Sequence, residues 1–154
     1  MTTRRTQIKN NPVLRVCSKV LFAPIILYGL YVQFHGDYGP GGGFQAGVII
    51  AAAFILYGMI FSLKNLKKVT SPSVVHALMG IGALIYGGVG VVAFLNGGEY
   101  LNYNYLAADY AKGQHWGIIL VEFGVGLTVA STILGLFMAF AGFEFSDYKQ
   151  RKRR

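Results

Sequence analysis

The amino-acid sequence predicts an all-α membrane protein, a bundle of four transmembrane helices with both termini in the cytoplasm. Of its 154 residues, 54% are hydrophobic and only 13% are charged, an excess of apolar residues that soluble domains do not have. These residues are grouped in blocks, and each block can cross a hydrocarbon layer of about 30 Å at about 1.5 Å per residue. The length allows one domain, so residues 1–154 are predicted to form a single integral-membrane domain.

The four predicted spans are residues 13–34, 44–63, 74–95 and 116–143. The second span has no charged residue. The third contains one ionisable group, His76, and the fourth contains one, Glu122. The first contains Arg15 and Lys19 near its start, on one helix face from which long side chains reach the headgroups. A cleaved signal peptide would look similar, but no small-residue cleavage pattern follows this block.

Charge predicts the orientation of the bundle. With four spans, the lysines and arginines of the N-terminal segment, the loop 64–73 and the tail 149–154 share one side, and only Lys112, in the loop 96–115, lies on the other. By the positive-inside rule, the side rich in these residues is the cytoplasm. The net charge of +8 therefore predicts topology and requires no nucleic acid, and the basic tail is interpreted as an anchor against anionic membrane lipid.

The most unusual segment is the loop between the first two spans. Glycine loses the most conformational entropy on ordering, and proline lacks a backbone donor. A loop with this composition therefore predicts close contact between its backbone and another part of the structure. Phosphate binding is disfavoured, because no Lys-Ser or Lys-Thr pair follows the glycines and no β-strand precedes them. We interpret the segment as an assembly motif made of Pro40, Gly41, Gly42, Gly43, Phe44 and Gly47. Either Pro40 starts a helix whose first turn lies tight against another helix, or the segment bends as a short re-entrant element.

Four polar residues on the predicted outer side are candidates for an ion route: Glu122, His115, Asp37 and His35. Glu122 is the only acid inside a span, where a carboxylate is costly unless it is protonated, paired or in contact with water. It is either a way-station for protons or cations or a structural hydrogen-bond partner of a neighbouring helix or subunit. His115 lies two turns above it on the same helix face. His35 and Asp37 either form an acidic and imidazole-lined mouth or are simply solvated loop residues.

The remaining polar and small residues favour packing over chemistry. The third span carries glycine or alanine on nearly all sides, so we expect partner subunits to enclose it. The hydroxyls of Thr128, Ser131 and Thr132 form a polar strip and are expected to bond back to carbonyls one turn earlier. With one cysteine, three separated histidines and no nucleophilic triad or cofactor motif, the sequence predicts no metal, no cofactor and no independent enzyme.

At the glycine loop the sequence resembles the B subunit of multisubunit sodium/proton antiporters, the MrpB or MnhB family. In that family a histidine and a glycine precede Pro-Gly-Gly-Gly-Phe and a helix rich in small residues. The resemblance covers most of the chain, since four spans and a similar length also fit. The matching residues are His35, Gly36, Pro40, Gly41, Gly42, Gly43, Phe44 and Gly47.

The resemblance implies a multi-pass subunit of a secondary transporter in the bacterial inner membrane. Its partners would be other antiporter subunits, including large antiporter-like membrane subunits similar to those of respiratory complex I. The whole assembly would move sodium ions outward and protons inward. A close alternative is a purely structural subunit of a redox-driven ion-pumping complex of the membrane-bound hydrogenase type. A stand-alone channel or carrier is disfavoured, because few intramembrane charges are available to coordinate a substrate.

Overall fold

The computed structural model describes residues 11–36 and 39–151, with side chains described through residue 142. Within these residues there are five α-helices and one short 3-10 helix, Tyr103–Leu106. The α-helices are α1 (Pro12–His35), α2 (Gly43–Phe61), α3 (Leu63–Val69), α4 (Pro72–Leu95) and α5 (Tyr110–Arg151). All except α3 are long and apolar enough to cross a membrane, which confirms the predicted four-span helical bundle. The cytoplasmic orientation of the termini stays a prediction, and Asp37 and residues 152–154 of the basic tail lie outside the described residues.

Two segments that were expected to be loops are helical. The short helix α3 occupies most of the predicted loop 64–73, and α5 begins at Tyr110, inside the predicted outer loop. Helix α3 is fixed by Leu66, which is fully buried. One apolar anchor in seven residues leaves no periodicity from which a helix could be predicted.

Neighbouring spans follow the order α1, α2, α5 and α4, so α5 packs between α2 and α4 while α1 packs mainly against α2. Glycines set the distance between these helices. A β-carbon at Gly47 would lie 2.7 Å from the carbonyl oxygen of Gly126, and one at Gly82 would lie 2.7 Å from that of Gly124. Because lipid tails are as apolar as the helices, this close backbone approach is a main source of helix association in the bilayer.

Helix α4 lies at one edge of this arrangement. A β-carbon at Gly80 or Gly88 would meet no neighbouring atom of the described chain within 4 Å, and Leu84 on the same face is 75% exposed. One face of α4 is therefore open within this chain. Its enclosure by partner subunits stays a prediction.

The main cluster of buried apolar side chains lies at the basic end, which we define by Arg15, Lys19, Lys64, Lys67 and Lys68. The guanidinium carbon of Arg15 and the ammonium nitrogen of Lys19 lie 5.5 and 5.7 Å from the ring centroid of the α2 residue Phe61. These cation–π contacts tie the start of α1 to the end of α2. The cluster consists of Leu66, Val75, Leu134 and Met138.

Candidate functional site

Glu122 lies at the other end of the bundle, the glycine-loop end, which we define by Gly36 and residues 39–43. A β-carbon at Gly36 would overlap the Glu122 carboxylate, and one at Gly42 would lie 2.9 Å from its Oε1. The side chain of Glu122 is half-buried. Its carboxylate is therefore in contact with two glycines of the loop, at positions where any larger residue would displace it.

The backbone of α5 is equally close to the start of α2. A β-carbon at Gly43 would collide with the carbonyl oxygen of Glu122 and would lie 2.9 Å from the amide nitrogen of Gly126. The loop thus makes a close backbone approach, and its target is the turn of α5 that carries Glu122. Contacts of this kind require glycine, since even alanine would force the two helices apart.

The expectation that Pro40 starts a helix is wrong, since α2 begins at Gly43 and the loop before it folds back onto the end of α1. The N–H of Gly42 donates to the carbonyl oxygen of Val32 at 3.1 Å, and the N–H of Gly39 donates to that of His35, also at 3.1 Å. Gly42 has a φ of +114°, a left-handed conformation that glycine adopts without a steric penalty. Gly42 thus has a left-handed φ, donates a hydrogen bond to α1 and contacts the Glu122 carboxylate.

Gln33, which the sequence pattern did not single out, contributes the second polar group of the site. Gln33 is only 8% exposed, and its Oε1 occupies the space that a β-carbon at Gly126 would need. Since Gly126 lies one turn along α5 from Glu122, the amide and the carboxylate lie one turn apart, where α1, α2 and α5 meet. The available signal was that Gln33 is the only amide in the charge-free residues 20–34.

The electrostatic environment of the carboxylate includes the first turn of α2. No side chain caps this helix at Gly42, and the first N–H groups of a helix have no partner within it. Together with the helix dipole, such groups stabilise a nearby negative charge by about 0.3–1 kcal/mol. The start of α2 therefore presents N–H donors at the end of the bundle where the Glu122 carboxylate lies.

The other three candidate residues are placed differently. His35 is half-buried and stacks on Tyr31 with ring centroids 5.1 Å apart, and its neighbour Gly36 contacts the Glu122 carboxylate. His115 is exposed and lies edge-on to Trp116, with ring centroids 6.2 Å apart. Asp37 lies outside the described residues. The structure thus brings the segment around His35 to Glu122, whereas His115 lies two turns away on α5.

The segment between α4 and α5 covers the same end of the bundle. Tyr100 packs onto Gly90 of α4, and Tyr103 packs onto Gly117 of α5. Burial, and to a lesser extent the nearby Tyr86, raises the pKa of Tyr103 above its usual value. Its hydroxyl therefore stays neutral at physiological pH and acts in packing.

Nearby hydroxyls on α5 are occupied by their own helix. The Oγ1 of Thr128 donates to the carbonyl oxygen of Gly124 at 2.8 Å, and the Oγ of Ser131 donates to that of Leu127 at 2.7 Å. This confirms the predicted back-bonding for these two hydroxyls, and that of Thr132 stays a prediction. Among the described residues, no three histidine, cysteine or acidic side chains lie close enough to hold a metal ion. The groups placed around Glu122 are therefore its own carboxylate, the Gln33 amide, the imidazole of nearby His35 and backbone groups.

Comparison with known proteins identifies the family. Residues 13–135, which include the glycine loop and Glu122, match the family described as a domain related to the MnhB subunit of the Na+/H+ antiporter. The chain belongs to this family. The resemblance predicted from the Pro-Gly-Gly-Gly-Phe motif is confirmed.

Curated relatives extend the similarity over nearly their whole length. The protein named antiporter subunit mnhB2 in Staphylococcus haemolyticus is 31% identical over 140 residues, which cover 87% of this chain and 96% of the relative. Proteins of the same name in Staphylococcus epidermidis and Staphylococcus aureus are 30% and 28% identical over 137 residues, with the same coverage. The similarity therefore includes all four spans.

Proposed function

We propose that this chain is a small subunit of a multisubunit sodium/proton antiporter of the cell membrane, in which Glu122 contributes to an ion route. The family match, the four apolar helices and the names of the relatives support the subunit assignment. The open face of α4 supports contact with other subunits, including large antiporter-like ones, because small residues allow close helix packing. Because the family consists of transporter components, the proposal assigns no enzymatic reaction to this chain.

The observation that carries the role of Glu122 is the contact of its carboxylate with Gly36 and Gly42. A carboxylate inside a membrane span is costly and marks ion and proton pathways. The Glu122 side chain is half-buried, so it contacts the loop and is also accessible from the glycine-loop end of the bundle. It can accept a proton or attract a sodium ion there, with the Gln33 amide one turn away as a further polar group.

Protonation of Glu122 would also alter the loop itself. A negative carboxylate is attracted by N–H groups at a helix start, such as those of α2, whereas a neutral carboxyl group loses most of this attraction. Proton or cation binding at Glu122 therefore changes the contact between α5 and the loop. His35, Asp37 and His115 are the further candidates for passing protons between Glu122 and the solvent.

The test is the substitution Glu122→Gln in the complete antiporter complex. Glutamine keeps the size and hydrogen-bonding capacity of the side chain but cannot exchange a proton. We expect the complex to assemble and sodium/proton exchange in everted vesicles to fall by about tenfold or more, because the ionisable group is gone. The matched control is Glu99→Gln, which removes an exposed acid of the segment between α4 and α5 and should leave exchange unchanged.

Two results would contradict a transport role for Glu122. Unchanged exchange in an intact Glu122→Gln complex would show that the carboxylate is a structural partner of the loop. An equal loss in Glu99→Gln would show that exchange responds to negative charge at this end in general. The first result would leave helix packing as the role of Glu122, and the second would replace a specific route with a general effect of charge.

A further inference from the structure

A second candidate site lies at the basic end, between α4, α5 and the short helix α3. It is a half-open cavity of about 190 Å³. Two of its lining residues are basic or can become so, Lys67 and His76. The others are apolar or small: Pro72, Val75, Gly135, Met138 and Ala139.

We propose that this cavity binds the phosphate group of an anionic phospholipid. The inference does not depend on the role of Glu122 or on ion exchange. Basic pockets between transmembrane helices, on the side where lysine and arginine are concentrated, bind anionic headgroups. Here the pocket holds a phosphodiester group but not a whole lipid, so the acyl chains would lie outside it.

The position of Lys67 supports this assignment. Helix α3 is anchored by Leu66, which is fully buried in the apolar cluster, so the adjacent Lys67 is held beside the cavity. Lys64 and Lys68, on the same helix, do not line it, although all three lysines, like His76, are exposed. Lys67 is thus distinguished from its neighbours by location, since all three carry the same charge.

Charge at this end favours an anion. No acidic side chain is present at the basic end among the side chains through residue 142, because Glu99, Asp109 and Glu122 belong to the opposite half of the bundle. Further along α5, Glu144 and Asp147 are followed by five basic residues of the tail 149–154. The start of α4 is already capped, since Ser71 Oγ accepts from the N–H of Val74 at 3.3 Å. Lys67 and His76 are therefore the groups that attract the ligand.

The apolar part of the cavity favours a lipid over inorganic phosphate. Its inner wall contains Val75 and Met138, which are buried in the apolar cluster. Its outer wall includes the exposed residue Ala139, and the next residue, Phe140, is 72% exposed. An apolar surface thus continues from the cavity onto α5, where it would contact the glycerol and the first methylene groups of an acyl chain.

The experiment uses the complete complex, reconstituted in phosphatidylcholine vesicles, with a fluorescent label on Phe140→Cys in a background without other reactive cysteines. Brominated phosphatidylglycerol is titrated in, and brominated phosphatidylcholine is the uncharged comparison. We expect half-maximal quenching at a lower mole fraction of the anionic lipid. In Lys67→Gln that fraction should rise about fivefold, because one basic residue contributes about 1 kcal/mol to such binding.

Matched variants make the result specific. Lys64→Gln removes the same charge from α3 without altering the cavity, and it should change the half-maximal fraction less than twofold if location matters. Ala139→Phe fills the cavity while keeping every charge, and it should abolish the preference for the anionic lipid. Gel filtration of each variant establishes that the complex is intact.

Three outcomes would overturn the proposal. Equal quenching by the two brominated lipids would show that no anionic site exists near Phe140. Equal effects of Lys64→Gln and Lys67→Gln would show a diffuse surface attraction. Full reversal of quenching by millimolar inorganic phosphate, at constant ionic strength, would identify free phosphate as the ligand instead of a lipid.

Discussion

At the glycine-loop end the helices meet backbone against backbone, whereas at the basic end they meet through large apolar side chains. Gly43 lies directly on the carbonyl group of Glu122, while Leu66 fills the space between α2, α4 and α5 with a branched side chain. The contact at Gly43 leaves no room for a larger side chain, whereas the contact at Leu66 would leave an empty space if the side chain were smaller. The two ends should therefore respond in opposite ways to changes in side-chain size.

The largest effect is expected from Gly43→Leu. Its side chain would collide with the backbone of Glu122 and Gly126, and neither backbone group can move without separating α2 from α5. We expect no monodisperse complex after detergent extraction, which corresponds to a loss of more than about 4 kcal/mol. Gly42→Leu should also prevent assembly, because leucine is strained at a φ of +114°.

The control for this change is Gly142→Leu on α5, where a β-carbon would meet nothing within 4 Å. It should leave the yield of complex unchanged. Recovery of intact complex from Gly42→Leu or Gly43→Leu would show that close backbone contact is not the purpose of the loop.

A smaller effect is expected at the basic end, where a reduction in side-chain size should destabilise the protein. Leu66→Ala removes a fully buried side chain and should lower the free energy of unfolding by about 2–5 kcal/mol, through lost burial and the cavity that is left. Thermal unfolding of the purified complex measures this. Leu27→Ala, on α1 at a residue that is 66% exposed, is the matched control and should shift the midpoint little. If the two variants unfold at the same temperature, the cluster around Leu66 does not stabilise the basic end.

The smallest effect is expected from a single helix cap at the same end. Ser71→Ala removes the acceptor for the N–H of Val74 and should cost about 1 kcal/mol. Hydrogen exchange of the first turn of α4 would detect this local loosening. Ser73→Ala, two residues later on an exposed position, should leave that exchange rate unchanged. Equal rates in both variants would mean that the Ser71 hydroxyl contributes nothing to the start of α4.

The sequence predicts those features of the structure that depend on local interactions. Four spans could be predicted because length and apolar composition decide membrane insertion. The back-bonding of Thr128 and Ser131 could be predicted because donor and acceptor lie on one helical turn. Helix α3 was missed because seven residues with one buried anchor show no periodicity, and its position depends on the apolar cluster that it completes.

The candidate site shows the same division between local and distant information. Glu122 could be identified from its depth in an apolar span, and the glycine loop from its composition, but nothing along the chain connected them. Gln33 received no attention because a single amide near the end of a span resembles ordinary interfacial polarity. Its burial against Gly126 depends on how α1 and α5 pack at one end of the bundle.

The order of residues was thus enough to establish a four-span membrane protein of the MnhB family with a loop that must approach another backbone. The folded chain alone decided that this backbone belongs to Glu122, that Gln33 joins the site, and that Lys67 and His76 share a cavity. The reason is physical. Spans and caps depend on residues within one or two turns, whereas Gly42 and Glu122 are 80 positions apart in the chain and meet only because whole helices find one close-packed arrangement.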